Sequence, residues 1–161
     1  MKTKNIKNIS VITLGCAKNV YDSEKLIGML KGNNLNYTED LNNTDGLIIN
    51  TCGFIEGSKQ ESIDYILQAS EMRKSGQLQS LIVMGCLVER YEKELSDQIG
   101  SVDHWLGVNS QEQIVKTLVG DEKFSLINER MLLTPNHSAF LKISEGCDHN
   151  CGFCAIPGIR G

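Results

Sequence analysis

The chain has 161 residues, room for one well-buried domain and part of another, since a domain near 150 residues hides roughly 70% of its unfolded surface. A net charge of -4 and the lack of any Lys/Arg run give no pull toward polyanions, so direct nucleic-acid binding is not indicated. No apolar stretch approaches the roughly 20 residues of a membrane span, and the basic lead "MKTKNIKNISVITLGC" has no small-residue cleavage site; the expectation is a soluble cytoplasmic protein with no membrane partner.

In chain order, "ISVITLGC" (9–16) is a short Val/Ile-rich run that ends at a Gly-Cys turn, as a buried parallel strand does. The spacing of Leu26, Ile27 and Leu30 predicts a helix over 20–33, with Asp22 or Ser23 as N-cap, Asp22 and Glu24 serving its N-terminus, and Gly32 as stop. "DGLIINTC" (45–52) repeats the strand grammar. A helix follows over 58–76, with Ser58 as cap, Glu61 three residues on, Ile63, Ile66, Leu67 and Met72 on one face, and Gly76 beyond. "LIVMGC" (81–86) is the third such strand, and a polar helix over 88–100 ends at Gly100. "DHWLGV" (103–108) reads as a short strand, with His104 as a satisfied core histidine, and 110–120 as a helix capped by Ser110 and closed by Gly120.

Strands alternating with helices predict an α/β fold, a mainly parallel sheet flanked by helices, over residues 1–120. Right-handed crossovers put the carboxyl ends of all parallel strands on one edge. Cys16, Cys52 and Cys86 stand at three such ends, each about one βα unit after the last, and are expected to share that edge, where open sheets bind ligands. Asn19, Asn50 and Thr51 lie in the same connections and read as turn residues or as donors to a bound group. Periodicity fades over 121–137, which holds Pro135, Asn136 and His137 and reads as a linker. "SAFLKIS" (138–144) then alternates as the first strand of a second domain over 138–161.

That strand leads into "GCDHNCGFC", where Cys147, Cys151 and Cys154 form Cys-x-x-x-Cys-x-x-Cys. In a reducing compartment six cysteines are better read as ligands than as disulfides. Four-iron clusters are usually held by four cysteines, so three leave one iron open to another molecule. Structural zinc, with His149 as a fourth ligand, is the competing reading, although His149 sits inside the same tight turn. No Ser-His-Asp set, Walker loop or Gly-x-Gly-x-x-Gly can be assembled.

"GCDHNCGFC", with Phe153 before its last cysteine, resembles the cluster loop of the radical S-adenosylmethionine superfamily. Together with the three strand-end cysteines it is similar to the methylthiotransferase family. "TLGCAKNVYDSE", "NTCGFIEGSKQESI", "LIVMGCLVERY" and the stretch 132–161 resemble its branch that modifies an aspartate of a small-subunit ribosomal protein. Lys18-Asn19 and Gly53-Phe54-Ile55 separate this chain from the branch that modifies transfer RNA; Ala17 and Ser138 depart from a frequent proline and tyrosine. The resemblance implies two 4Fe-4S clusters: one on Cys147, Cys151 and Cys154 that binds and cleaves S-adenosylmethionine, and an auxiliary one on Cys16, Cys52 and Cys86 that supplies sulfur. It implies methylthiolation of the aspartate β-carbon, an electron donor such as flavodoxin or ferredoxin, and a β/α barrel of which 138–161 is only the truncated start. On that reading the chain is a fragment, inactive alone. The alternatives are a transfer-RNA-modifying enzyme, a non-catalytic iron–sulfur or zinc module, and a flavodoxin-like nucleotide binder with incidental cysteines.

Overall fold

The computed structural model describes residues 6–149 and 151–161; the basic lead over 1–5 and Asn150 of the terminal cysteine loop lie outside the described residues. Five strands, β1 (Asn8–Thr13), β2 (Asn36–Tyr37), β3 (Gly46–Thr51), β4 (Ser80–Gly85) and β5 (His104–Leu106), form one all-parallel sheet in the order β2-β1-β3-β4-β5. Helices α1 (Ala17–Gly32), α2 (Glu56–Lys74), α3 (Cys86–Gln98), α4 (Gln111–Val119) and the short α5 (Ile156–Arg160) complete the chain.

The central strands read as unbroken apolar runs because both faces are covered. Leu47 and Ile49 of β3 with Leu81 and Val83 of β4 meet Ile66 and Ala69 of α2 and Leu87, Val88 and Leu95 of α3. Ile48, Ile82 and Met84 point the other way, onto Leu26, Met29 and Leu30 of α1 and Ile114 and Val115 of α4. Alternate residues thus serve two cores, as the two-residue period of a strand demands.

The order reverses between β1 and β3: the chain leaves β1, pairs β2 on one side, then returns to add β3, β4 and β5 on the other. Such a reversal opens a crevice outside the carboxyl ends of the two strands. The residues after β1 and β3 that border it are Cys16 and Cys52.

Several expectations need correction. Asp22 and Ser23 do not cap α1: the helix begins at Ala17, with Cys16 as N-cap, and both are buried within it. Ser58 likewise lies inside α2, whose N-cap is Ile55, and Leu67 is exposed. Ser110 precedes α4, but its hydroxyl donates to Gly107 O and Val108 O and caps no helical N–H. His104 is exposed, because it stands at the start of an edge strand.

The expected strand at 138–144 is absent among the described residues. An extended segment becomes a strand only by pairing, and no neighbour pairs with it. Leu141 and Ile143 are instead more than four-fifths exposed. Residues 121–137 hold one 3-10 turn and lie along α1: Asn33 Nδ2 donates to Ser125 O at 2.9 Å, and Met131 N to Glu24 O at 3.1 Å.

At the opposite edge of the sheet Arg73 forks onto Asp103 through Nε and Nη2, both at 2.8 Å, and Leu81 N donates to the same carboxylate at 2.8 Å. Burial alone would raise Asp103, but these donors hold it below the ordinary carboxylate range. A depressed folded pKa adds stability that is present above the unfolded value and lost as pH falls through the folded one. Asp103→Asn is expected to cost about 1 kcal/mol at neutral pH, given its partial exposure, with the difference from the unsubstituted chain vanishing in strong acid. Urea unfolding at the two pH values checks this; a deficit that persists in acid would assign the effect to packing.

Candidate functional site at the carboxyl edge

Each strand-end cysteine is placed by the strand before it. β1 runs through Leu14 and Gly15 to Cys16, which starts α1; β3 runs directly into Cys52; and β4 ends at Gly85, so that Cys86 is the first residue of α3. Because Thr13 pairs Asn50 and Thr51 pairs Gly85, the three ends lie side by side.

Gly15, at φ +90, lets the β1–α1 turn lie against Cys52: a side chain there would meet Cys52 Cβ at 2.5 Å and Sγ at 2.8 Å. Cys52 and Cys86 are 7% and 6% exposed, whereas Cys16 faces solvent, so the group has a floor and an open side. All three are free thiols. Burial pushes the Cys86 thiol up, the Arg160 guanidinium opposes it, and Cys52 and Cys16 are near enough to add to the rise.

Buried polar groups fix this rim. Asn19, fully buried in the first turn of α1, donates from Nδ2 to Leu14 O at 2.7 Å and Thr51 O at 3.0 Å, tying β1 to β3. Asn50 Nδ2 donates to Asn19 O and Ser23 Oγ, both at 3.0 Å, and Thr51 Oγ1 to Met84 O at 2.7 Å. Ser62 of α2 holds Cys52 at both ends, accepting from its N–H and donating to its carbonyl at 3.1 Å. Asn19, Asn50 and Thr51 are therefore not turn residues but cross-ties within helix and strand. Among the described residues Thr13 Oγ1 is the single buried side-chain polar atom without a partner, so the network is nearly saturated.

The terminal cysteine loop reaches the same edge. Cys147 N donates to Gly161 O at 2.7 Å, closing a ring that contains the triplet, and Cys154 N donates to Cys151 O at 3.0 Å in a tight turn. Cys147 and Cys154 are half-buried and Cys151 exposed, with Phe153 94% exposed beside them. His149 and His137 are exposed.

Ile159 and Arg160 of α5 are buried, and α5 packs on α3. Arg160 Nη2 donates to Asn19 Oδ1 at 2.7 Å, Nη1 to Asp22 Oδ2 at 3.1 Å and Glu145 Oε1 at 2.9 Å, and Nε to Cys86 Sγ at 3.3 Å. Lys142 bridges Asp22, at 2.7 Å, and Glu145. Burial would raise Glu145, but Lys142 and Arg160 lower it to about 2; against their own burial, Arg160 is held above its ordinary range by Glu145, Cys86 and Asp22, and Lys142 by Asp22 and Glu145. Glu24, fully buried, receives Arg130 Nε at 2.8 Å and Leu133 N at 2.7 Å. Asp22 and Glu24 therefore do not serve a helix terminus: they are anchors for residues more than a hundred positions away.

Three cysteine sulfurs with one open side are donors of the soft kind that iron or zinc takes once the thiols lose their protons. Among the described residues no three His, Cys, Asp or Glu side chains close on a point as around a single ion. A multi-iron cluster asks for something else, because each thiolate binds its own iron and the sulfurs stand further apart. The large hollow between Val108, Ser110, Lys116 and Asp121 contains none of the six cysteines.

The family model described as uncharacterized protein family UPF0004 matches residues 8–107, well over half of the chain. The chain is 48% identical over its full length to the ribosomal protein uS12 methylthiotransferase RimO of Chloroherpeton thalassium, and 48% identical over 98% of its length to that of Prosthecochloris aestuarii. The Flavobacterium johnsoniae protein of the same name is 45% identical over the full chain. The chain spans 37% of the length of the first two relatives and 38% of the third. No helix among the described residues is long and apolar enough to cross a membrane. The chain belongs to the family whose model it matches, uncharacterized protein family UPF0004.

Proposed function

We propose that the chain is the part of a ribosomal protein uS12 methylthiotransferase that carries both cysteine sites, working in the cytoplasm with an electron donor such as flavodoxin or ferredoxin. The observation that carries this reading is the gathering of Cys16, Cys52 and Cys86 at the carboxyl ends of the adjacent strands β1, β3 and β4, with the Cys147–Cys151–Cys154 loop docked beside them. A flavodoxin-like nucleotide binder would share the strand order but has no need of thiols at that edge.

Cys147, Cys151 and Cys154 would hold a 4Fe-4S cluster with S-adenosylmethionine, and Cys16, Cys52 and Cys86 a second, auxiliary cluster. When bound, these groups supply one-electron cleavage of S-adenosylmethionine and the sulfur that reaches the aspartate β-carbon. The chain's own residues supply placement. Gly15 keeps space open against Cys52. Asn19 locks the two central strand ends together, and Ser62 fixes the Cys52 backbone. Arg160 sets a positive charge against Cys86, offsetting the negative charge that three thiolates bring into a half-buried rim. Phe153 within the triplet loop, and Leu141 and Ile143 on the segment that leads into it, are exposed apolar side chains. Excluding water from a radical site calls for cover there, and we infer that residues beyond the stretch shared with the relatives supply it, so this chain alone does not turn over.

Anaerobic reconstitution with iron and sulfide tests the assignment. The expected result is about eight iron atoms per chain with a four-iron spectroscopic signature, part of which changes on addition of S-adenosylmethionine. Stoichiometric zinc with no iron uptake would overturn it.

A further inference from the structure

Arg160 is the most deeply placed cation among the described residues, its side chain 2% exposed, and it donates to four different partners. Two of them, Asn19 and Asp22, belong to the first half of α1; one, Cys86, opens α3; and one, Glu145, lies at the entrance of the terminal cysteine loop. Asn19 is the residue that ties β1 to β3, so the guanidinium touches the side chain that sets the spacing of Cys16 and Cys52 as well as the sulfur of Cys86. A planar fork with five donors can span such a set, whereas the point charge of a lysine cannot. Beside it Lys142 doubles the link between Asp22 and Glu145, and Tyr21 is flanked by Lys142 and Arg130 at 5.2 and 4.4 Å from the ring centre.

We propose that Arg160 is a positioning residue that clamps the terminal cysteine loop onto the strand-end thiols, fixing the two cysteine sets relative to one another while holding Cys86 Sγ. Its functional meaning rests on the reading of those thiols as an auxiliary cluster site; the clamp itself does not. With Arg160 seated, Gly161 O is in place to receive Cys147 N, so the ring around the triplet closes at the rim. Through its contact with Cys86 the same side chain would stabilise the more reduced, more negative state of any group on that sulfur.

Amide hydrogen exchange on the chain without metal decides the clamp. In Arg160→Gln, protection at Cys147 and across 154–161 is expected to fall about tenfold or more, with β3 and β4 unchanged. Should β3 and β4 also lose protection, Arg160→Lys and Asp22→Asn serve instead, each expected to loosen the same segment while leaving the sheet intact. Exchange over 145–161 that is unaltered in all three variants overturns the proposal. A second readout uses the reconstituted chain with Cys147→Ser, Cys151→Ser and Cys154→Ser, which keeps only the strand-end thiols. There Arg160→Gln should lower the reduction potential; an unchanged potential overturns the contact with Cys86. No iron uptake at those thiols defeats the proposed function and leaves the exchange result to judge the clamp.

Discussion

Gly85→Ala is expected to destabilise the chain by roughly 3 kcal/mol or more, because a strained backbone and a backbone collision add at one central position. Gly85 has φ 104 and ψ -163, a region that L side chains rarely enter. A carbon added there would stand 2.7 Å from Thr51 O and 2.9 Å from Thr51 N, atoms of the paired strand β3, and 2.6 Å from Asn50 Oδ1. Asn50 has nowhere to go, since its amide is bound to Asn19 and Ser23. The melting temperature should drop by about 10 °C for a chain of this size. Gly57→Ala makes the comparison: its added carbon meets open space in the first turn of α2, so stability should rise by about 0.5–1 kcal/mol. A Gly85→Ala loss below about 1 kcal/mol, well under the strain cost alone, would mean that the end of β4 rearranges freely and does not fix Cys86.

The parts of the fold that were legible in the sequence are those governed by local pattern. The runs ending at Cys16, Cys52 and Cys86 announce buried parallel strands because both faces of β3 and β4 are covered, and Gly120 ends α4 at φ 88 as a helix-stopping glycine should. The misreadings share one cause. Asp22, Ser23 and Glu24 look like caps to any local rule, yet their partners are Lys142, Arg160, Asn50 and Arg130, supplied by distant chain. The available signal was two acids on the first turns of a helix whose later turns are apolar, together with basic residues in the linker and terminal loop; pairing them needed the topology. β2, only two residues long, carries no pattern to read. The alternation in 138–144 is a true strand pattern that finds no partner strand among the described residues.

Under the proposed assignment the two cysteine sets should fail independently in their iron content although Arg160 joins them in space. Cys52→Ser is expected to remove about half of the iron taken up on reconstitution, and Cys151→Ser the other half, since a hydroxyl is a poor ligand to iron and two remaining thiolates hold a four-iron cluster weakly. The halves differ in kind. The iron that survives in Cys52→Ser should still respond spectroscopically to S-adenosylmethionine, because the solvent-facing triplet keeps its open position; the iron that survives in Cys151→Ser should not respond. Neither substitution should cost much stability: Cys151 is exposed, and the Cys52 backbone stays bound to Ser62. The two losses can thus be compared on folded chains, with unfolding curves as the control. Full iron content in Cys52→Ser would remove the strand-end thiols from the assignment, and the carboxyl edge would then carry one exposed and two buried cysteines with no shared ligand.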